Sequence, residues 1–264
     1  MTEIPQPEDI YERTRKEGER RLARPPLEMV STALAAGFDI VAGIVALVLI
    51  QAQLEHWMGT HAAHVFASLG FGIGFVFLVV GRGELFTENF LVPIAGLDHR
   101  DRQSWLALAR LWTLSPFFNV VAGVIMLCLL SVHSVLPYGT GKAFVDVAGR
   151  IHANGTLALF VSAIFAGALI TAMTWFVEGQ ESMLVRIVVA WVAGGVLALG
   201  SFNHVIVVTL ELVAGLRFGI HMSPWFVAGN FALAAAGNMV GGIGLVTLNR
   251  LTQGKQGART RAST

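Results

Sequence analysis

Charge is scarce in this chain: 13 % of its residues are Asp, Glu, Lys or Arg, against about a quarter in soluble domains. With 55 % apolar residues and a mean hydropathy of +0.66 over 264 residues, there is more apolar surface than one soluble core can hide. Lipid is the solvent that fits. Cysteine is nearly missing. The single Cys128 lies in an apolar run, which excludes a disulfide framework and a cysteine-based metal site. There is no His-Glu-x-x-His pair and no Gly-x-Ser-x-Gly elbow, so zinc-hydrolase and serine-hydrolase chemistry have no support. No enzyme, resident metal or cofactor is expected. His61 and His64 stand three apart in a short outer loop, where they could bind a metal weakly, although solvation suffices to explain them. The net charge of +1 gives no argument for a nucleic-acid partner. The first apolar stretch begins only near Leu27, after a charged leader, so no signal peptide is expected.

What the chain does have is long apolar runs and 29 glycines. Glycine is commoner in membrane helices, where it lets backbones approach closely. Apolar segments fall near 27–50, 65–97, 105–130, 151–177, 187–216 and 224–248. A crossing needs about 20 residues, so the second and fifth segments are too long. Both are also interrupted by polar residues. The second breaks at Arg82-Gly83-Glu84-Leu85-Phe86-Thr87-Glu88-Asn89, the fifth at Ser201-Phe202-Asn203-His204. The flanking pieces, such as 90–97, are too short to cross alone. The reading is therefore an all-α integral membrane protein of six transmembrane helices, with helices 2 and 5 broken. Residues 1–26 form a polar segment, with a helix expected from Ile4 to Arg24. Residues 27–250 form the membrane domain, and 251–264 a basic tail.

Basic residues orient it, because cytoplasmic loops carry excess Lys and Arg. With the N-terminus inside, fourteen of the 18 basic residues fall on the inner side: six in the leader, Arg100, Arg102, Arg110 and Arg186 in the loops, and four from Arg250 onward. Three (Lys142, Arg150, Arg217) fall outside, and Arg82 lies within the membrane. Both termini are expected to be cytoplasmic, in a multi-pass plasma (inner) membrane protein.

The two halves echo each other. Asn119-Val-Val-Ala-Gly123 is similar to Asn238-Met-Val-Gly-Gly242, and the breaks at Thr87 and His204 are offset by nearly the same distance. Three helices per half invert the second copy. Inverted repeats with interrupted helices at matching positions point to a substrate pathway at mid-membrane. Ionisable groups at that depth are costly and usually functional; here they are Asp39, Arg82, Glu84, Glu88, His204 and Glu211. His204 is the first candidate. Its imidazole can hydrogen-bond an anion or exchange a proton with it near neutrality, although a structural histidine bonded to a freed carbonyl is also open. Each break exposes backbone N–H groups and the positive end of a half-helix, which attract anions without a fixed cation. Thr87 adds a hydroxyl. Arg82 and Glu84 could pair or satisfy the interrupted backbone. Asp39 has no evident partner, and Phe71 and Phe75 share one helix face, as packing or as a gate.

These residues also resemble a known family. Gly81-Arg-Gly-Glu84-Leu85-Phe86-Thr87 resembles the G-x-E/D-L-F-T signature of the formate/nitrite transporters. Ser201-Phe202-Asn203-His204 resembles their fifth-helix histidine motif, and Gly237-Asn238-Met-Val-Gly241-Gly242 their sixth-helix G-N-x-x-G-G. The likeness covers about residues 25 to 250. It implies an aquaporin-like fold, a homopentamer with one pore per subunit, and passage of formate, nitrite or similar small weak-acid anions. It makes Thr87 and His204 the central pore pair, Phe71 and Phe75 the apolar constriction, and Leu197 a pore-lining residue. Asn203 belongs to the pathway by its place in the motif. Glu84, Arg82, Asn119 and Asn238 become supports of the broken helices. The chain departs from the pattern at Asn203, where Glu is frequent, at Val207-Val208, where Ala-Asn is frequent, and at Gly167, where asparagine is often found. Alternatives are a pore for small neutral or cationic solutes, suggested by Glu84, Glu88 and Glu211, and a non-transporting membrane sensor or structural protein.

Overall fold

The computed structural model describes residues 5–263, with 258–263 described as backbone only. Ile4, Thr264 and the side chains of Arg259 and Arg261 lie outside the described residues. Helix α1 (Pro7–Leu22) is the expected polar leader: Pro7 opens it with its preset φ, Glu8 and Asp9 occupy the first turn, and Arg20 and Arg21 the last. That order complements the helix dipole.

Helix α2 (Pro26–Gly81) runs for 56 residues with one non-helical residue, Gly59 at φ 77°, ψ 163°. The two arms on either side fold back on each other. A Cβ placed on Gly43 would lie 3.1 Å from Gly74, and one on Gly70 would lie 2.3 Å from Ile50, which only antiparallel arms allow. After Gly81 the chain leaves the helix, makes a 3-10 turn at Phe86–Phe90 and a single α turn, α3 (Val92–Ala95). Helix α4 (Arg102–Leu130) begins at Asp101, whose carboxylate accepts from the Gln103 and Ser104 amides, a normal N-cap.

Then follow α5 (Thr140–His152), α6 (Thr156–Gly179), α7 (Met183–Leu199), α8 (Val205–Arg217) and α9 (Pro224–Met239). A π-helical stretch at Val240–Thr247 leads without a break into α10 (Leu248–Ser263). Among the described residues, four helical runs are long and apolar enough to cross a membrane: α2, α4, α6 and Pro224–Gly257. Helices α7 and α8, of 17 and 13 residues, are each too short to cross alone.

Two stretches differ from the sequence reading. His61 and His64, expected in a loop, lie on the second arm of α2, just after Gly59. Residues 140–152, expected to lie in a loop before a crossing that starts at 151, form α5, and the crossing begins only at Thr156. Helix α5 is amphipathic, burying Phe144, Val147, Ala148 and Ile151, and its polar face with Lys142 and Arg150 masks it from a hydropathy reading. The basic tail is helical and packs on α1, with Gly254 against Tyr11 and Lys255 Nζ 5.9 Å from the Tyr11 ring. Helices α1 and α10 therefore share one side of the molecule, the terminal side; the opposite is the far side.

The two halves run in opposite senses. The first arm of α2 leaves the terminal side, whereas α6 starts beside α5 on the far side and brings Glu178 to the terminal side. Each crosses its partner at a glycine. A Cβ on Gly37 would sit 2.3 Å from the Asn119 carbonyl oxygen, and one on Gly167 2.2 Å from that of Asn238. Gly167, a departure from the family pattern, is thus the counterpart of Gly37 and admits the backbone of Asn238.

Candidate functional site: a sealed threonine–histidine pair

The breaks in the two halves are built alike. Helix α2 stops with Arg82 in the left-handed region at φ 55°, and α7 is followed by Ser201 at φ 47°. The next amides turn back onto the helix: Gly83 N–H donates to the Leu78 carbonyl at 3.0 Å, and Phe202 N–H to the Leu197 carbonyl at 3.1 Å. One asparagine then holds each loop. Asn119 accepts from Phe86 N at 3.0 Å and donates to the Ala33 carbonyl at 2.8 Å and the Glu84 carbonyl at 3.1 Å. Asn238 accepts from Val205 N at 2.9 Å and donates to the Ala163 carbonyl at 2.8 Å and the Asn203 carbonyl at 3.1 Å. Phe86 and Val205, Glu84 and Asn203, and Asn119 and Asn238 each differ by 119 positions. Backbone groups freed inside lipid must find partners within the protein, and these two side chains supply them.

Between the breaks, Thr87 Oγ1 and His204 Nε2 lie 2.8 Å apart, 117 residues distant in sequence and both 0 % exposed. The other ring nitrogen, Nδ1, accepts from the Val207 amide at 3.3 Å and so caps α8. A nitrogen that accepts carries no proton. The neutral ring therefore holds its hydrogen on Nε2, and donates it towards Thr87. Phe75 packs edge-on to the imidazole with ring centroids 6.4 Å apart, and Phe71 stands 5.9 Å from Phe75. Phe71, Phe75 and Leu197 are all buried.

Two spaces flank this pair. On the terminal side a chamber of about 200 Å³ is bordered by Arg21, Arg24, Arg82, Glu84, Glu88 and Glu178 among others. On the far side a cleft of about 10 Å³, room for one water, is bordered by His64, Arg150, Leu197, Val207 and Glu211 among others. Glu88, next to Thr87, lines the first; Val207, bonded to His204, lines the second. The pair lies in the closed layer between them.

Several side chains do other work than the sequence suggests. Arg82 does not pair with Glu84. Its side chain is exposed, and its contribution to the break is the left-handed backbone that ends α2. Glu84 is instead clamped by Arg24, which follows α1, and by the Asn89 amide at 3.0 Å. Arg21 Nη1 donates to the Asn89 side-chain oxygen at 3.1 Å. Asn203, read as part of the pathway, spends its side chain on other helices. Its amide group donates to the Leu159 carbonyl at 3.1 Å and to Asn230 at 2.9 Å, and its oxygen accepts from Asn230 at 3.0 Å, so it ties α8 to α6 and α9. Arg24, Asn89 and Asn230 were not picked out by sequence; the signal available was Glu84, a membrane-depth carboxylate that required a base. Glu17, outside the membrane segments, also borders the terminal-side chamber. Burial pushes its carboxyl up, but hydrogen bonds and charge from Arg20 and Arg21 outweigh this and leave it lowered.

The Arg24–Glu84 pair has side chains 6 % and 2 % exposed. Removing one partner of such a pair strands a charge at a cost of about 3–5 kcal/mol. Arg24→Met is expected to destabilise the folded protein by about that much, and Arg24→Met/Glu84→Gln by clearly less. Thermal unfolding in detergent measures both; equal losses would mean the pair is not coupled.

Paired broken helices, a closed polar pair between two charged spaces and an inverted helical repeat define the class: a multi-pass membrane protein built from two like halves. The formate/nitrite transporter model matches residues 8–251, and the chain belongs to that family. It is 29 % identical over 238 residues to the inner membrane protein YfdC of Escherichia coli (strain K12), covering 88 % of this chain and 74 % of that one. It is 22 % identical over 242 residues to the formate channel BtFdhC of Bacillus thuringiensis, covering 91 % and 92 %. Among solved structures it is similar to a pentameric formate channel with formate bound, at TM-score 0.72 and 19 % identity over 84 % of this chain and 94 % of that one. An FNT family ion channel matches at TM-score 0.76 and 20 % identity, over 91 % and 97 %.

Proposed function

We propose that this protein is a transmembrane channel or transporter for small monovalent weak-acid anions such as formate or nitrite, with Thr87 and His204 at the centre of the pathway. The observation that carries the reading is the oriented imidazole: Nδ1 accepts from the Val207 amide, so Nε2–H is the ring's donor, in a closed apolar layer beside a hydroxyl. In that layer a donor is worth far more than in water. It favours an anion or a weak acid over a cation.

The geometry also narrows what the ring does. A proton lost from Nε2 would leave an imidazolate, because Nδ1 holds none to share. His204 therefore acts as a hydrogen-bond donor to the permeating anion, and any proton that travels with the anion comes from elsewhere. Of the glutamates that suggested a cation pathway, Glu84 supports it little, since it is consumed by Arg24 and Asn89. Similarity to a pentameric formate channel and to an inner membrane protein supports a homo-oligomer, read as a pentamer, in the plasma membrane. The basic bias supports cytoplasmic termini. Residues 1–26 and 251–264 are read as the cytoplasmic segments, joined by the α1–α10 contact.

The test is uptake into proteoliposomes of formate, nitrite, water, glycerol and ammonium at two pH values. Formate or nitrite is expected to enter faster than into empty liposomes, and faster at the lower pH. Ammonium or glycerol flux without anion flux would instead favour a cationic or neutral pore, and no flux at all a non-transporting role.

A further inference from the structure

The far-side cleft contains a charge arrangement that the central pair does not explain. Arg150 comes to it from α5, His64 from the second arm of α2, and Glu211 from α8, with Leu197 as the apolar wall towards the centre. The donors here are underused. Arg150 Nη2 reaches Gln51 Oε1 and His64 Nδ1 only at 3.4 Å each. Arg150 Nε and Gln51 Nε2 are buried without a hydrogen-bond partner among the described residues, and Gln51 is 0 % exposed. Buried donors of this kind are rare in a folded protein and call for a ligand or water. Glu211, 7 % exposed, makes no hydrogen bond and no ion pair within 4.0 Å among the described residues.

The surroundings of Glu211 are otherwise neutral. Of the groups on α5, Arg150 is the charge that acts on it; Lys142 and Asp146 pair with each other at 2.6 Å on the exposed face. Helix α9 carries no titratable residue. Arg102 and Arg110 of α4 lie towards the terminal side, and the second arm of α2 contributes His64. His204 lies on the other side of the Leu197 and Val207 wall.

We propose that Glu211 is the proton-exchange group of the far-side cleft, and that it competes with the incoming anion for Arg150. This rests on the anion-transport reading above and supplies what His204, as a donor only, does not. With Glu211 ionised, Arg150 is already compensated and an anion gains little by entering. When Glu211 takes a proton from water on the far side, Arg150 loses the carboxylate that acts on it most and is left for the anion. The Glu211 carboxyl O–H then breaks as a new O–H forms on the anion. The neutral acid passes the apolar layer at His204, and the Glu211 carboxylate compensates Arg150 once more. One proton and one anion move together, and both charges balance at each stage.

Formate and nitrite uptake into proteoliposomes tests this with Glu211→Gln and Glu211→Asp beside the wild type. Glu211→Gln keeps the shape but exchanges no proton and removes the foremost of the three carboxylates that act on Arg150, leaving Asp146 and Glu55. At about pH 7 its KM is expected to fall by about threefold and its maximal rate by about tenfold, with the acid activation flattened. Glu211→Asp keeps a carboxyl and is expected to retain acid activation. If Glu211→Gln shows the wild-type pH profile and KM, the proposal is wrong. If Glu211→Gln loses its oligomer, Glu211→Asp decides: absence of acid activation in its intact oligomer also overturns the proposal. A wild type that moves neither anion would instead remove the transport reading itself.

Discussion

His204→Asn is expected to lower formate and nitrite flux by about tenfold to a hundredfold while the oligomer stays intact. The two nitrogens of the ring have separate roles. Nδ1 caps α8 through the Val207 amide, and asparagine is among the best N-cap residues, so the fold keeps its cap. Nε2, which faces Thr87 at 2.8 Å, is what the substitution removes. A hydrogen bond to a charged partner contributes about 1.5–3 kcal/mol, which converts to roughly one to two decades in rate. His204→Ala removes donor and cap together and is expected to lose stability as well as flux. Stopped-flow uptake with native mass spectrometry of the same sample distinguishes the two. Unchanged flux in a folded His204→Asn protein would remove the imidazole from the pathway.

Asn238→Leu is expected to cost more than any substitution of the central pair, and to be read in assembly rather than rate. It strands the Val205 amide and the Ala163 and Asn203 carbonyls, all bonded to one side chain. Each buried unsatisfied group costs about 1–3 kcal/mol, and no water is at hand inside the bilayer to replace the partner. A loss of at least about 3 kcal/mol follows if the effects only partly relax. Asn119→Leu is expected to match it, because Phe86, Ala33 and Glu84 present the same three groups. Thermal unfolding and size-exclusion profiles measure both. A near-neutral result for either would show that its loop is held by something else.

Both breaks were legible in the sequence, because polar residues inside overlong apolar runs leave few other structures. Asn119 and Asn238 were legible as an echo, and Thr87 with His204 as a pair through the family resemblance of their two motifs. What escaped was mostly long-range partnership. Nothing local tells that Glu84 is answered by Arg24, 60 residues earlier, rather than by Arg82 two residues away. The left-handed backbone at Arg82 decides it, by aiming that side chain outward, and composition does not encode backbone handedness for arginine. Asn203 follows the same rule: its place in the motif suggested the pathway, but Asn230 and Leu159 consume its amide. Helix α5 was missed because half of its face is polar, so average hydropathy falls just where amphipathic packing begins.

The inverted repeat also bears on the centre of the molecule. The asparagine anchors coincide when one half is laid on the other, but the reactive groups do not. Thr87 falls on Ile206, and His204 on Leu85, both aliphatic and buried. Each half thus contributes one heteroatom opposite a hydrocarbon of its twin. The duplicated scaffold is therefore symmetric in its asparagine anchors, while the hydroxyl and the imidazole that meet at its centre are not copies of one another.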